Sequence, residues 1–141
     1  MANQVPIEEG LFSWPAERPQ LIASRCKACD ALTFPRQDAC PHCTERGGEE
    51  VLLSRSGTLW SWTIQRFPPP VPYTGPTDRE TFTPYGVGYV ELPEGIRVEG
   101  RLTENDPSKL EIGMQMELTF ETFGQDASGN DVLTFAFRPC E

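Results

Sequence analysis

From residue 51 onward, apolar and polar positions alternate with a period of two, the spacing of strands that bury one face. Thr58-Leu59-Trp60-Ser61-Trp62-Thr63-Ile64 places Trp60, Trp62 and Ile64 on one face. Ile96-Arg97-Val98-Glu99-Gly100-Arg101-Leu102 alternates apolar with charged residues, and Tyr85 to Leu92 is expected to pair with it through the turn Pro93-Glu94-Gly95. Met114, Met116, Leu118 and Phe120 line one face of a further strand, and Val132 to Phe137 forms the last, after a turn at Ala127-Ser128-Gly129-Asn130-Asp131. Between the third and fourth strands, Asn105-Asp106-Pro107-Ser108-Lys109-Leu110 joins an Asx cap to a proline at the first helical position, which predicts a single helical turn.

Five strands with a helical turn after the third imply a mainly β chain whose C-terminal part is a five-stranded Greek-key barrel of the OB-fold type. Upstream the period differs. Ile7 to Trp14 predicts a short helical arm that Pro15 ends; at this length it must pack against its own domain or another chain. A cysteine-bearing segment follows, and the acidic, Gly-containing stretch Thr44 to Glu50 is the expected hinge and boundary. The expected organisation is an arm at 1–20, a cysteine segment at 21–50 and the barrel at 51–141. The Pro-rich stretch from Phe67 to Pro84 cannot supply a central ladder and is expected to be a long exposed loop between the first two barrel strands.

Composition sharpens this picture. The chain has 141 residues, room for one ordinary domain or two small ones, and its 12 Gly and 14 Pro disfavour long helices. A net charge of −9 opposes long-range attraction to a phosphate backbone, so nucleic acid is not an expected partner. No apolar run approaches membrane-spanning length, and the N-terminus has neither a basic start nor an apolar core. A cytoplasmic protein with no membrane partner is therefore expected, and grouped thiols in that compartment point to metal before disulfides.

Cys26-Lys27-Ala28-Cys29 and Cys40-Pro41-His42-Cys43 are two C-x-x-C pairs separated by ten residues. Each pair can curl as a knuckle that turns both sulfurs to one side, and two facing knuckles complete a tetrahedron for Zn2+. Four thiolates leave no position for water, so the expected role of Cys26, Cys29, Cys40 and Cys43 is structural. A single iron in the same site is the competing metal, which colour would reveal. A redox dithiol would require one pair beside a βαβ pattern, and His42 lies between cysteines that already have ligand spacing. Cys140 has no cysteine nearby in sequence and is expected to be a spare thiol.

Catalytic signatures do not appear. The chain's one histidine lies inside a metal knuckle, and no Gly-rich phosphate loop, H-E-x-x-H motif or paired-carboxylate signature stands out. Trp60, Trp62, Tyr85 and Tyr89 could stack on bases, but the strands interleave Arg97 and Arg101 with Glu99 instead of clustering cations.

In order, Arg25-Cys26-x-x-Cys29, Phe34-Pro35-Arg36, Cys40-Pro41-x-Cys43, Ser56-Gly57-Thr58, Pro84-Tyr85-Gly86-Val87-Gly88-Tyr89-Val90-Glu91-Leu92, Gly113-Met114 and Phe137-Arg138-Pro139 resemble the zinc-ribbon plus OB-fold proteins that accompany thiolase-like enzymes acting on acyl-CoA. The resemblance runs from about Phe12 to Pro139 and implies an N-terminal helical arm, a rubredoxin-like zinc ribbon and a C-terminal OB-fold. It further implies an accessory subunit, itself no enzyme, whose partner is a thiolase-superfamily enzyme, whether a thiolase, a hydroxymethylglutaryl-CoA synthase or a steroid side-chain aldolase, with acyl-CoA at a shared site. Asp30 stands where that family usually has Gly, at a position that tends to need positive φ, which Asp tolerates. Leu11, Phe12 and Trp14 of the arm and Phe67, Val71 and Tyr73 of the loop are candidate partner contacts, with packing against the barrel as the competing role. Arg25, Arg36 and Arg66 are candidate contacts for CoA phosphates, with nothing in the sequence selecting them over other arginines. A free-standing acyl-CoA scaffold and a single-strand nucleic-acid binder are the rival functions.

Overall fold

The computed structural model describes residues 4–68 and 82–140. Its strands are β1 (Gln4–Pro6), β2 (Ile22–Arg25), β3 (Leu32–Thr33), β4 (Glu49–Leu52), β5 (Ser56–Gln65), β6 (Tyr85–Glu91), β7 (Arg97–Leu102), β8 (Gln115–Gln125) and β9 (Asp131–Pro139). Strands β5 to β9 form the barrel in the order β9-β7-β6-β5-β8, and β8 closes it by pairing with β9. The β7–β9 pairing is parallel, with Arg101 opposite Ala136 and Leu102 opposite Phe137; the other barrel pairings are antiparallel. Asp106 caps the single 3-10 turn Pro107–Lys109 by accepting from Ser108 N at 2.9 Å. The hairpin turn at Pro93 to Gly95 forms as its residues require, with Gly95 at φ 90° and its N–H on Leu92 O at 2.9 Å.

The barrel interior holds Leu59, Val90, Val98, Leu102, Met116, Leu118 and Phe137, all nearly inaccessible to solvent. Alternation is obeyed along β7, where Val98, Gly100 and Leu102 are buried while Arg97 and Glu99 face out. It is broken in β5. A bulge between Leu59 and Ser61 shifts the register, so Leu59 enters the core at 1% exposure and Trp60 turns outward at 46%. Trp62 and Ile64 pack on the core as expected, but Trp60 does not share their face. One extra residue in the strand inverts the parity of everything before it.

The N-terminal arm is not helical; no α-helix occurs among the described residues. Strand β1 lies parallel to β9, Gly10 adopts a left-handed φ of 83° and Phe12 makes a bridge with Leu21. Adjacent Leu11 and Phe12 are both buried, a demand that an extended, kinked chain meets here and a helix interrupted by left-handed backbone does not. Leu11, Phe12, Leu21, Ala23 and Leu53 join the barrel residues in one continuous core cluster. Strand β2 lies between β3 and β4 in a separate three-stranded sheet, and β4 crosses the expected division between residues 50 and 51.

Candidate metal centre

Two turns of near-identical construction carry the four cysteines. In the first, Cys26 N donates to Ala31 O and Asp30 N to Cys26 O, both at 2.9 Å; in the second, Cys40 N donates to Glu45 O and Thr44 N to Cys40 O, both at 2.8 Å. Closing each turn puts the residue after the second cysteine in the left-handed region, Asp30 at φ 65° and Thr44 at φ 67°. The sequence signals the first, since Asp tolerates this backbone, but not the second, because a β-branched residue there is an outlier. Residue type leaves Thr44 unmarked as a constrained position; its signal is its place, one residue beyond Cys43, matching Asp30 after Cys29.

The four sulfurs lie within 4.8 Å of one another, with Cys26 and Cys43 3.5 Å apart and Cys29 and Cys40 3.6 Å apart. Four sulfurs at about 2.3 Å from one ion in a tetrahedron stand roughly 3.8 Å apart, so the donor set has the size and chemistry for such an ion. Within each knuckle the first cysteine ionises more readily. Backbone N–H groups of Cys29 and then Ala28 bring the Cys26 thiol down to about 7, and those of Cys43 and His42 help lower Cys40. Cys43 is favoured as thiolate by the N–H of Glu45, yet the Cys26 sulfur, desolvation and the other two sulfurs push it up to about 12. Cys29 is raised as well, the N–H of Ala31 being outweighed by desolvation and by the Cys40 and Cys26 sulfurs. Four negative sulfurs this close require a cation between them.

His42 contributes its backbone N–H to Cys40 Sγ at 3.4 Å, while its imidazole is outside the four-sulfur group. Cys140 is exposed and also lies outside that group. The other sequence candidates scatter. Leu11 and Phe12 are core residues of this chain, and Trp14 packs half-buried between Phe12 and Phe120. Phe67 is 56% exposed just after β5, whereas Val71 and Tyr73 lie outside the described residues. Arg25 pairs with Asp30 at 3.3 Å and Arg36 pairs with Glu50; these arginines line different cavities, and Arg66 is exposed at the end of β5. The three do not converge. An outer face missed by strand alternation is the platform of Trp60 and Tyr89, edge to face with centroids 6.1 Å apart, with the Arg97 guanidinium 4.0 Å from the Trp60 ring.

A family model described as ChsH2, rubredoxin-like zinc ribbon domain, matches residues 13–48, and one described as ChsH2, C-terminal OB-fold domain, matches residues 50–121. A DUF35 domain-containing scaffold protein of Methanocaldococcus jannaschii is 35% identical over 89% of this chain and 85% of its own length. The benzoylsuccinyl-CoA thiolase subunit BbsA of Thauera aromatica is 33% identical, over 91% of this chain and 83% of its own. Among solved structures, the Ltp2-ChsH2(DUF35) aldolase aligns with a TM-score of 0.62 at 32% identity, covering 85% of this chain and 84% of the other.

Proposed function

The chain belongs to the DUF35 family, in which a ChsH2-type zinc ribbon is joined to an OB-fold, and on that premise we propose that it is a non-catalytic subunit of a thiolase-superfamily enzyme. The partner, a thiolase or an aldolase, makes or breaks the carbon–carbon bond of an acyl-CoA. This chain supplies a rigid surface beside that site. Zn2+ is the ion held by Cys26, Cys29, Cys40 and Cys43, and with all four positions taken by thiolate it braces the ribbon instead of activating water.

The observation that carries this reading is the closed four-sulfur cluster fused through one core to a barrel, in a chain whose relatives are described as scaffolds or enzyme subunits. The connection after β5 that bears Phe67, Val71 and Tyr73 is the proposed partner contact, with Arg66 beside it facing the CoA phosphates. Leu11 and Phe12 are committed to the core and act only by shaping the surface above them. Co-expression with a thiolase-family partner tests the whole: the two chains should co-elute, and the partner should lose activity or solubility alone. A chain that stays monomeric and leaves the enzyme's turnover unchanged contradicts it.

One observation favours a second reading, single-strand nucleic-acid binding: the exposed Trp60 and Tyr89 rings. Glu91 and Glu99 flank that platform, holding Arg97 at 2.9 Å and the Tyr89 hydroxyl at 3.1 Å. Oligonucleotide titration at low ionic strength separates the readings, since a stacking platform with paired cations should give no micromolar complex.

A further inference from the structure

A cavity of about 520 Å3 opens where the N-terminal arm, the segment after β4 and the barrel meet, lined by Arg18, Gln20, Ser54, Arg55, Ser56 and Pro93. It differs in charge from the four other cavities described, each of which has at least one carboxylate in its lining: Asp38, Glu49 and Glu50 in one, Glu45 in another, Asp30 and Glu94 in a third, Glu8 and Glu9 in the fourth. Here two arginines stand with no acidic side chain in the wall, in a molecule of net charge −9.

Arg55 is held in place. Its guanidinium donates to Pro19 O and, at 3.1 Å, to Leu118 O, while its own carbonyl accepts from Leu118 N at 2.6 Å. Both guanidinium partners are neutral carbonyls, and among the described residues neither Arg55 nor Arg18 has an ion pair. Partial burial, and then the charge of Arg18, depress the Arg55 pKa, as expected of a cation short of counter-charge. Glu117 is close enough to offset this in part, but Arg138 holds it at 3.0 Å. Glu94 accepts from Ser54 N and Oγ at 3.1 and 2.6 Å and lines the adjacent cavity.

We infer that this cavity binds a phosphate-bearing small molecule, with Arg55 as the fixed fork and exposed Arg18 as the second cation. A planar guanidinium anchored through two of its N–H groups keeps others to direct at an anion, and anchoring beforehand lowers the entropy lost on binding. The volume exceeds that of a lone phosphate and lies within the range of small-molecule sites. The phosphates can belong to a CoA-type nucleotide or to another phosphorylated compound. The inference stands apart from the partner proposal, because it needs only this chain.

The test is calorimetric titration of the full-length, metal-loaded chain with inorganic pyrophosphate, and separately with CoA. Pyrophosphate should bind with an affinity that falls as salt rises, and Arg18→Glu should weaken binding about tenfold or more at unchanged melting temperature. Arg46→Glu, in the cavity that carries Asp38, should leave it unaltered. Arg55→Lys should also weaken binding, but because Arg55 pins Pro19 and Leu118, Arg18 is the deciding variant. Absence of pyrophosphate binding at millimolar concentration and low salt overturns the inference, as does equal affinity in Arg18→Glu and the parent chain. Competition between CoA and pyrophosphate identifies a CoA-type ligand. Pyrophosphate binding without CoA binding upholds the site and assigns it to another phosphorylated compound, leaving the functional proposal untouched.

Discussion

The ring of Phe34, in the metal ribbon, stands edge-on to that of Phe135 in the last barrel strand, their centroids 5.7 Å apart at 80°. Phe135 in turn meets Phe137 edge-on at 6.1 Å, so an aromatic chain runs from the ribbon into the barrel interior. Phe34→Ala should cost about 2 kcal/mol, less than a fully buried Phe because the ring is half-buried. A double-mutant cycle with Phe135→Ala should show coupling of about 1 kcal/mol in denaturant unfolding.

That linkage makes metal removal felt beyond the knuckles. Elemental analysis should find one zinc per chain, and a strong chelator should lower the unfolding midpoint of the whole core, since Phe12, Leu21 and Ala23 share it with the barrel. Cys26→Ser and Cys43→Ser should each release the metal. A metal-free chain with an unchanged unfolding curve would refute the structural role.

Thr44 holds a backbone conformation that suits glycine, at the second knuckle. Thr44→Gly should therefore stabilise the metal-loaded chain by about 1 kcal/mol, whereas Asp30→Gly should change less because Asp already tolerates the left-handed region. Thermal unfolding of the two variants side by side checks the ranking.

The β5 bulge assigns opposite roles to neighbours. Leu59→Ala should cost about 3 kcal/mol by opening a cavity in the barrel, and Trp60→Ala about 1 kcal/mol or less through lost contact with Tyr89 and Arg97. Were Trp60 the core residue that simple alternation requires, the order in urea unfolding would reverse.

Two loop carboxylates tie stability to acid. Asp106, through the Ser108 side chain and then its N–H, and Asp126, through the Asn130 N–H and then its side chain, are held below the ordinary aspartate range. A depressed folded pKa contributes stability that is present above the unfolded value and lost as pH falls through the folded one. Acid unfolding should accordingly show a weakened pH response in Asp126→Asn below the ordinary aspartate range, and at neutral pH the variant should be less stable than the parent, because the carboxylate's bonds from Ser128 N, Asn130 N and Asn130 Nδ2 are weakened or lost.

Local chemistry made much of this protein legible from its residues alone. Two C-x-x-C pairs can present four sulfurs because each knuckle is built from its own backbone, and Asp30, the Asp106 cap and the Pro93 to Gly95 turn likewise depend only on neighbours in sequence. Alternation along β7 and β8 located the barrel core for the same reason. Tertiary structure decided the rest. Barrel closure placed the bulge that turned Trp60 outward, the bridge of Phe12 with Leu21 and burial of Leu11 and Phe12 replaced the expected helix, and the meeting of arm and barrel brought Arg18 near Arg55. Each of these depends on residues far apart along the chain, whose mutual demands for burial and pairing outweigh what a short window of sequence prefers.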